Sequence, residues 1–191
     1  MRRLHIVFIR PSRYDDDGYV VRFVRGVLPS NTLCCLQSLT ERVAEHGDLG
    51  PDVEVTVDVF DDTVQRIPIQ RIAKMNGRPD PTVVVGFVGV QSNQFARASD
   101  LALELRELGV QVMIGGFHVS GVLTLFDSPS YELQRLLDRG VTLVKGEVDA
   151  PGVMTMLLAD ALSGAMKPIY EITEWPDLTN APVPRASEKL Q

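Results

Sequence analysis

Five short runs of Val, Ile and Phe, each followed by a stretch of helical period, constrain this chain more than any other feature. They occupy residues 4–10, 53–60, 82–90, 110–114 and 141–144. Most are apolar almost without interruption, the pattern of strands buried on both faces of a parallel sheet. Between them, Asn31 or Thr32 is placed to cap a helix that reaches about His46 and stops at Gly47. Residues 94–108 put Phe95, Ala98, Ala102, Leu105 and Leu108 on one helical face before Gly109. Residues 131–138 and 153–162 read the same way, with Gly140 and Gly164 as stops, and residues 68–75 carry a weaker helical signal.

Strand–helix alternation over five units predicts an α/β fold built on a doubly wound five-stranded parallel sheet of order 2-1-3-4-5, in the flavodoxin-like (Rossmann-like) class. Ligands of such sheets sit beyond the carboxyl ends of the strands, at the switch point between strands 1 and 3. After Gly164 the pattern thins. Residues 169–172 are long enough for a short edge strand, and Pro176, Pro182 and Pro184 then interrupt any regular element. The expected division is one domain over residues 1–172 and a linker over 173–191.

The bulk properties narrow the partners. A net charge of −6 argues against nucleic acid and anionic membranes, which reward a basic face. No apolar run is long enough to cross a bilayer, and the opening residues run directly into a strand, so a cytoplasmic location is expected. The cysteines, Cys34 and Cys35, are adjacent and point in different directions on a helix. Without a spaced set they build neither a zinc site nor an iron–sulfur cluster, and both are expected to pack as small apolar groups.

Four loops at the carboxyl ends of the runs stand out. The first, residues 11–29, is long for a compact domain and holds Tyr14-Asp15-Asp16-Asp17-Gly18-Tyr19, followed by a β-like stretch at 20–24. Three adjacent carboxylates suggest a divalent metal, but this spacing supplies no oxygen cage and more often forms a solvated turn. After the third run comes Gly89-Val90-Gln91-Ser92-Asn93-Gln94, with Gly86 inside the run itself. Glycines there mark either close approach of a ligand or tight packing of a helix on the sheet. The fourth run ends in Gly115-Gly116-Phe117-His118-Val119-Ser120-Gly121, where paired glycines admit a bulky flat ligand and His118 is either a ligand or a structural hydrogen-bonding residue. The fifth ends in Lys145-Gly146-Glu147.

Several classes are excluded. No Gly-x-Gly-x-x-Gly follows the first run and there is no phosphate loop. Val88-Gly89-Val90 stands where a response-regulator receiver needs an aspartate, and no Ser/His/Asp set has nucleophile-elbow spacing.

Taken together, Tyr14 to Tyr19, Pro29 to Leu33, Gln91 to Phe95, Gly115-Gly116 with Ser120, and Gly146-Glu147 resemble the N-terminal cobalamin-binding domain of cobalamin-dependent radical-SAM proteins. The likeness covers nearly the whole chain, and the tail from Trp175 resembles the linker that leads to the catalytic barrel. The resemblance implies cobalamin as cofactor, with the corrin across the carboxyl edge of the sheet and its nucleotide tail running past strands 3 and 4. Gly115 and Gly116 would flank the tail, Ser92 and Ser120 would donate hydrogen bonds, and Gly146-Glu147 would close the far side. Ser12, Arg13, Tyr14, Gly89, Gln91, Phe117 and His118 complete the implied site. The implied partner is a radical-SAM domain of the same polypeptide carrying a 4Fe-4S cluster and S-adenosylmethionine, for methyl transfer or a related reaction.

Two departures qualify it. The cobalamin mutases carry an Asp-x-His-x-x-Gly motif after strand 1 whose histidine ligates cobalt, whereas Pro11-Ser12-Arg13-Tyr14 here offers none. The Ser-x-Leu motif after strand 3 is also replaced, by Val88-Gly89-Val90. Cobalt would then be five-coordinate or water-bound, and the chain alone would catalyse nothing. The alternative is a flavodoxin-like structural or substrate-docking domain that binds no cobalamin.

Overall fold

A computed structural model describes residues 1–26, 28–77, 80–126, 128–177, 179 and 181–185. The strands are β1 (Arg2–Arg10), β2 (Val53–Asp61), β3 (Thr82–Phe87), β4 (Gln111–Gly115), β5 (Thr142–Lys145) and β6 (Ile169–Glu171). The helices are α1 (Asn31–His46), α2 (Ile69–Asn76), α3 (Phe95–Glu107), α4 (Phe117–Leu125), α5 (Tyr131–Asp138) and α6 (Val153–Ser163). All strand pairs are parallel and the order is β2-β1-β3-β4-β5-β6. The doubly wound α/β fold is therefore present, with six strands in place of the expected five.

Each strand divides its side chains between two helical layers, as the period of two requires. Ile6, Phe8, Val84, Val88, Met113 and Val144 face one layer with Leu33, Leu39, Met154 and Leu157 of α1 and α6. Val7, Ile9, Val85, Phe87, Val112 and Ile114 face the other, against Phe95, Ala98, Leu101, Ala102 and Leu105 of α3 and Leu133 and Leu136 of α5. Helix α1 is capped by Ser30, one residue before the expected cap, whose hydroxyl accepts from Leu33 N–H at 3.4 Å. It ends at Gly47 in the left-handed region (φ 66°), a conformation glycine adopts without steric cost.

The short edge strand expected at 169–172 is present, and two other sequence expectations change. The short run at 169–171 does join the sheet, tied to β5 by the Ile172 N–H to Lys145 O bond at 2.9 Å. Residues 117–125, read as loop, are helix α4. That segment has no polar face to give it a helical signature, and Gly116 and Gly121 disguise it. The stretch 20–24, read as β-like, forms only a single antiparallel bridge between Val20 and Tyr14, because its neighbours lie over the end of β2 and not beside a strand.

Tail residues from Thr173 onward contain no helix or strand among the described residues, although Arg185 N–H donates to Ser38 of α1 at 3.1 Å. The rest of the expected linker, residues 178, 180 and 186–191, lies outside the described residues. No described helix is long and apolar enough to cross a membrane.

Candidate functional site

The carboxyl edge of the sheet opens into a slot of about 410 Å³ between the sheet and helices α1 and α6. That size falls within the ordinary range of small-molecule pockets. The slot begins where the strands end, at Gly89, Gly115, Gly116 and Gly146, and descends to Phe8, Gly86, Met113 and Ile6. Phe8, Gly86 and Met113 lie on one rung of the sheet, since β1 pairs Phe8 with Gly86 and β3 pairs Gly86 with Met113. Gly86 lies three residues below Gly89, roughly 10 Å at the rise of a strand. A Cβ at Gly86 would lie 3.0 Å from the Phe8 ring, so glycine there makes room for the ring that forms part of the floor.

The opposite wall is helical. Asn31, Cys35 and Leu39 recur at intervals of four on α1, beside Thr32 and Leu36, while Met154 and Leu157 project from α6. Cys34 is buried in the core as expected, but half-buried Cys35 faces the slot. Burial pushes the Cys35 thiol up, with Cys34 and Asp149 adding to the shift, so it is a protonated thiol at neutral pH. Among the described residues, the only charged ones lining the slot are Glu147 and Asp149, near its mouth.

The sequence-predicted residues divide into two groups. Gly89, Gly115, Gly116, Phe117, Ser120, Gly146 and Glu147 all line the slot. Ser12, Arg13, Tyr14, Gln91, Ser92 and His118 do not. Ser12 is buried, its hydroxyl donating to Val21 O, and its N–H reaches Asp62 at 3.4 Å. Arg13 is exposed, and its carbonyl accepts from Val21 N–H at 2.9 Å. Tyr14 donates to Asp100 at 2.7 Å and lies under the Arg97 guanidinium. These contacts, with Arg22 and Arg97 both paired to fully buried Asp62, fasten the long segment after β1 over β2 and α3. Asp15, the first of the three carboxylates, accepts from the N–H groups of Asp17 and Tyr19 at 3.1 and 2.8 Å, which is a local turn. Among the described residues no three His, Cys, Asp or Glu side chains gather to hold a metal ion.

Gln91 lines a second depression, of about 380 Å³, beside Arg10, Ser30 and Gln94; it shares Asn31, Thr32 and Gly89 with the slot. His118 sits on the other side of the sheet, stacked on Phe95 with ring centroids 4.1 Å apart and Nδ1 3.2 Å from Ser92 Oγ. Burial lowers its pKa against the opposing pull of Glu132, which favours the neutral ring. Its Nε2 is enclosed without a hydrogen-bond partner.

The rim glycines have separate reasons. At Gly116 (φ 132°) a Cβ would come within 2.2 Å of Val90 N, where the loops after β3 and β4 are joined by Val90 N–H to Gly115 O and His118 N–H to Val90 O. At Gly146 (φ 100°) it would come within 2.2 Å of Ile172 O, and the Gly146 N–H donates to Ser120 Oγ at 3.2 Å. Close backbone approach therefore demands those two glycines. At Gly115 the nearest atoms are those of Val144 at 3.4 Å, an approach that side chains tolerate, and its φ is ordinary. Comparison of the chain with protein-family models, with curated proteins and with solved structures gave no match in any of the three.

Proposed function

We propose that this domain is a corrinoid-binding module, holding cobalamin with its ring over the carboxyl edge of the sheet and its nucleotide base in the slot. The catalytic step then belongs to a radical-SAM domain of the same polypeptide. The observation that carries this reading is the slot itself: it is deep and apolar, and it opens at the β1/β3 switch point, where sheets of this type bind ligands. Its floor is set at Gly86, where a Cβ would lie 3.0 Å from the Phe8 ring that also lines it.

A further observation favours it. Exposed Phe117, Leu125 and Phe126 follow β4, and exposed Phe23, Val24 and Leu28 follow β1, which gives the carboxyl side large apolar surface suited to a covering ring or domain. Bound there, the group would supply cobalt-centred methyl or radical chemistry, while this chain's residues bind and orient it.

One observation favours a domain that binds no cobalamin. Glu147 and Asp149 stand at the mouth with no lysine or arginine lining the slot among the described residues, an unfavourable field for a nucleotide phosphate. Visible-absorption titration with hydroxocobalamin followed by desalting decides between the readings. Retained cobalamin with a base-off spectrum supports the module. A colourless protein that remains folded by circular dichroism supports the scaffold.

A further inference from the structure

The interior of the slot is chemically one-sided, and we infer that it selects corrinoids by the polarity of their nucleotide base, accepting an apolar benzimidazole and rejecting a purine. This rests on the corrinoid reading above. Below the mouth the walls are Ile6, Phe8, Leu36, Leu39, Val144 and Leu157, and the side-chain heteroatoms there are the Cys35 thiol and the Met113 and Met154 thioethers. Thiols and thioethers are weak hydrogen-bonding groups. The backbone of the Phe8–Gly86–Met113 rung belongs to the parallel ladder and is already committed.

The strong polar groups all belong to the mouth. Asn31 and Thr32 are in the first turn of α1, Ser120 is on α4 with its Oγ accepting from Gly146 N–H, and Glu147 and Asp149 follow β5. A dimethylbenzimidazole and an adenine base both bring an imidazole ring. Adenine adds two ring acceptors and an exocyclic amine, and it replaces two methyl groups that the apolar walls would cover. Polar groups buried without partners carry their full desolvation cost, so the adenine form should bind about tenfold more weakly or worse.

The test is a set of equilibrium titrations of the whole chain with three probes, read by absorbance: cobalamin, its adenine-bearing analogue, and cobinamide, which has no nucleotide. Tightest binding of cobalamin, with the other two at least about tenfold weaker, is the expected result. Equal affinity for cobalamin and the adenine analogue, with cobinamide weaker, overturns the selectivity while leaving the corrinoid reading intact. Cobinamide binding as tightly as cobalamin overturns the placement of the base in the slot. Failure of all three to bind overturns both readings. A Leu36→Gln chain, checked for folding by circular dichroism, adds a donor and an acceptor to the half-buried wall and should narrow the cobalamin-to-adenine ratio. An unchanged ratio in the folded variant counts against that wall as the one meeting the base.

Discussion

The two faces of the sheet are built from the same strands and differ in one respect. Toward α3 and α5, Val85, Phe87, Val112 and Ile114 meet Ala98, Leu101, Ala102 and Leu105, and all are almost wholly buried. Toward α1 and α6, the corresponding positions of β3 and β4 include Gly86 and Gly115, and a cavity remains. Packed interiors leave few voids larger than a water molecule, so an apolar gap of this size lies outside ordinary core packing. The closed face carries stability, and the open one gives up contacts to keep space at the switch point.

The sharpest way to break this comparison is at the paired glycines. Gly116→Ala forces a side chain into the left-handed region and against Val90, two penalties that together should lower unfolding free energy by about 4 kcal/mol. Gly115→Ala should cost less than about 1 kcal/mol while narrowing the mouth. Denaturant unfolding of both variants measures the difference, and equal losses would show that the loops after β3 and β4 are not joined as described. It follows that a valine at 115, and not at 116, is the fair test of ligand access.

A second contrast is between the faces themselves. Leu105→Ala removes a fully buried side chain from the closed layer and should cost about 3 kcal/mol. Leu36→Ala removes a half-buried wall of an existing cavity and should cost under about 1 kcal/mol. Similar losses from the two would mean that the open face is as tightly packed as the closed one.

The sheet was legible because strands covered on both faces leave continuous apolar runs, and helices α1, α3, α5 and α6 because their stripes end at glycine. Helix α4 was not, since the polar residues of this nine-residue segment, His118, Ser120 and Thr124, are too few and too scattered to mark a polar face. Strand β6 is three residues long, too short to alternate, and the role of its Tyr170 depends on Asp160, which accepts from the hydroxyl at 2.6 Å. At the site, the rim glycines could be read as glycines but not for their reasons. Gly116 and Gly146 serve backbone neighbours, whereas Gly86 makes room for the Phe8 ring that lines the slot. The helical wall was missed because Asn31, Cys35 and Leu39 at intervals of four look the same whether they face a core or a hole. The rung that unites Phe8, Gly86 and Met113 depends on register between strands, which no single run specifies.

Helix α4 offers a smaller test in the stabilising direction. A Cβ at Gly121 meets nothing within 4 Å, and the residue sits inside a helix where glycine is the poorer helix former. Gly121→Ala should therefore raise stability by roughly 0.5–1 kcal/mol. A loss would mean that residues 117–125 are not helical in solution, and that the joined rim above the slot needs another support.

The smallest effect concerns acid, and it separates the faces by titration. Burial holds the pKa of His118 below its ordinary 6.5, while the unfolded chain keeps the ordinary value. Its contribution is complete above pH 6.5, where both states are neutral, and is lost as the pH falls through the lower folded value. The slot face has no histidine in its lining, so this loss belongs to the closed face, where the ring stacks on Phe95. His118→Phe keeps an aromatic partner for Phe95 and removes the proton site, so its stability should fall less steeply than that of the parent chain below pH 6.5. Glu132 pulls the other way, favouring the charged ring, so Glu132→Gln should steepen the parent's acid loss. Parallel acid profiles in the parent and His118→Phe chains, measured by denaturant midpoint at each pH, would assign the acid sensitivity to other groups and remove this distinction between the faces.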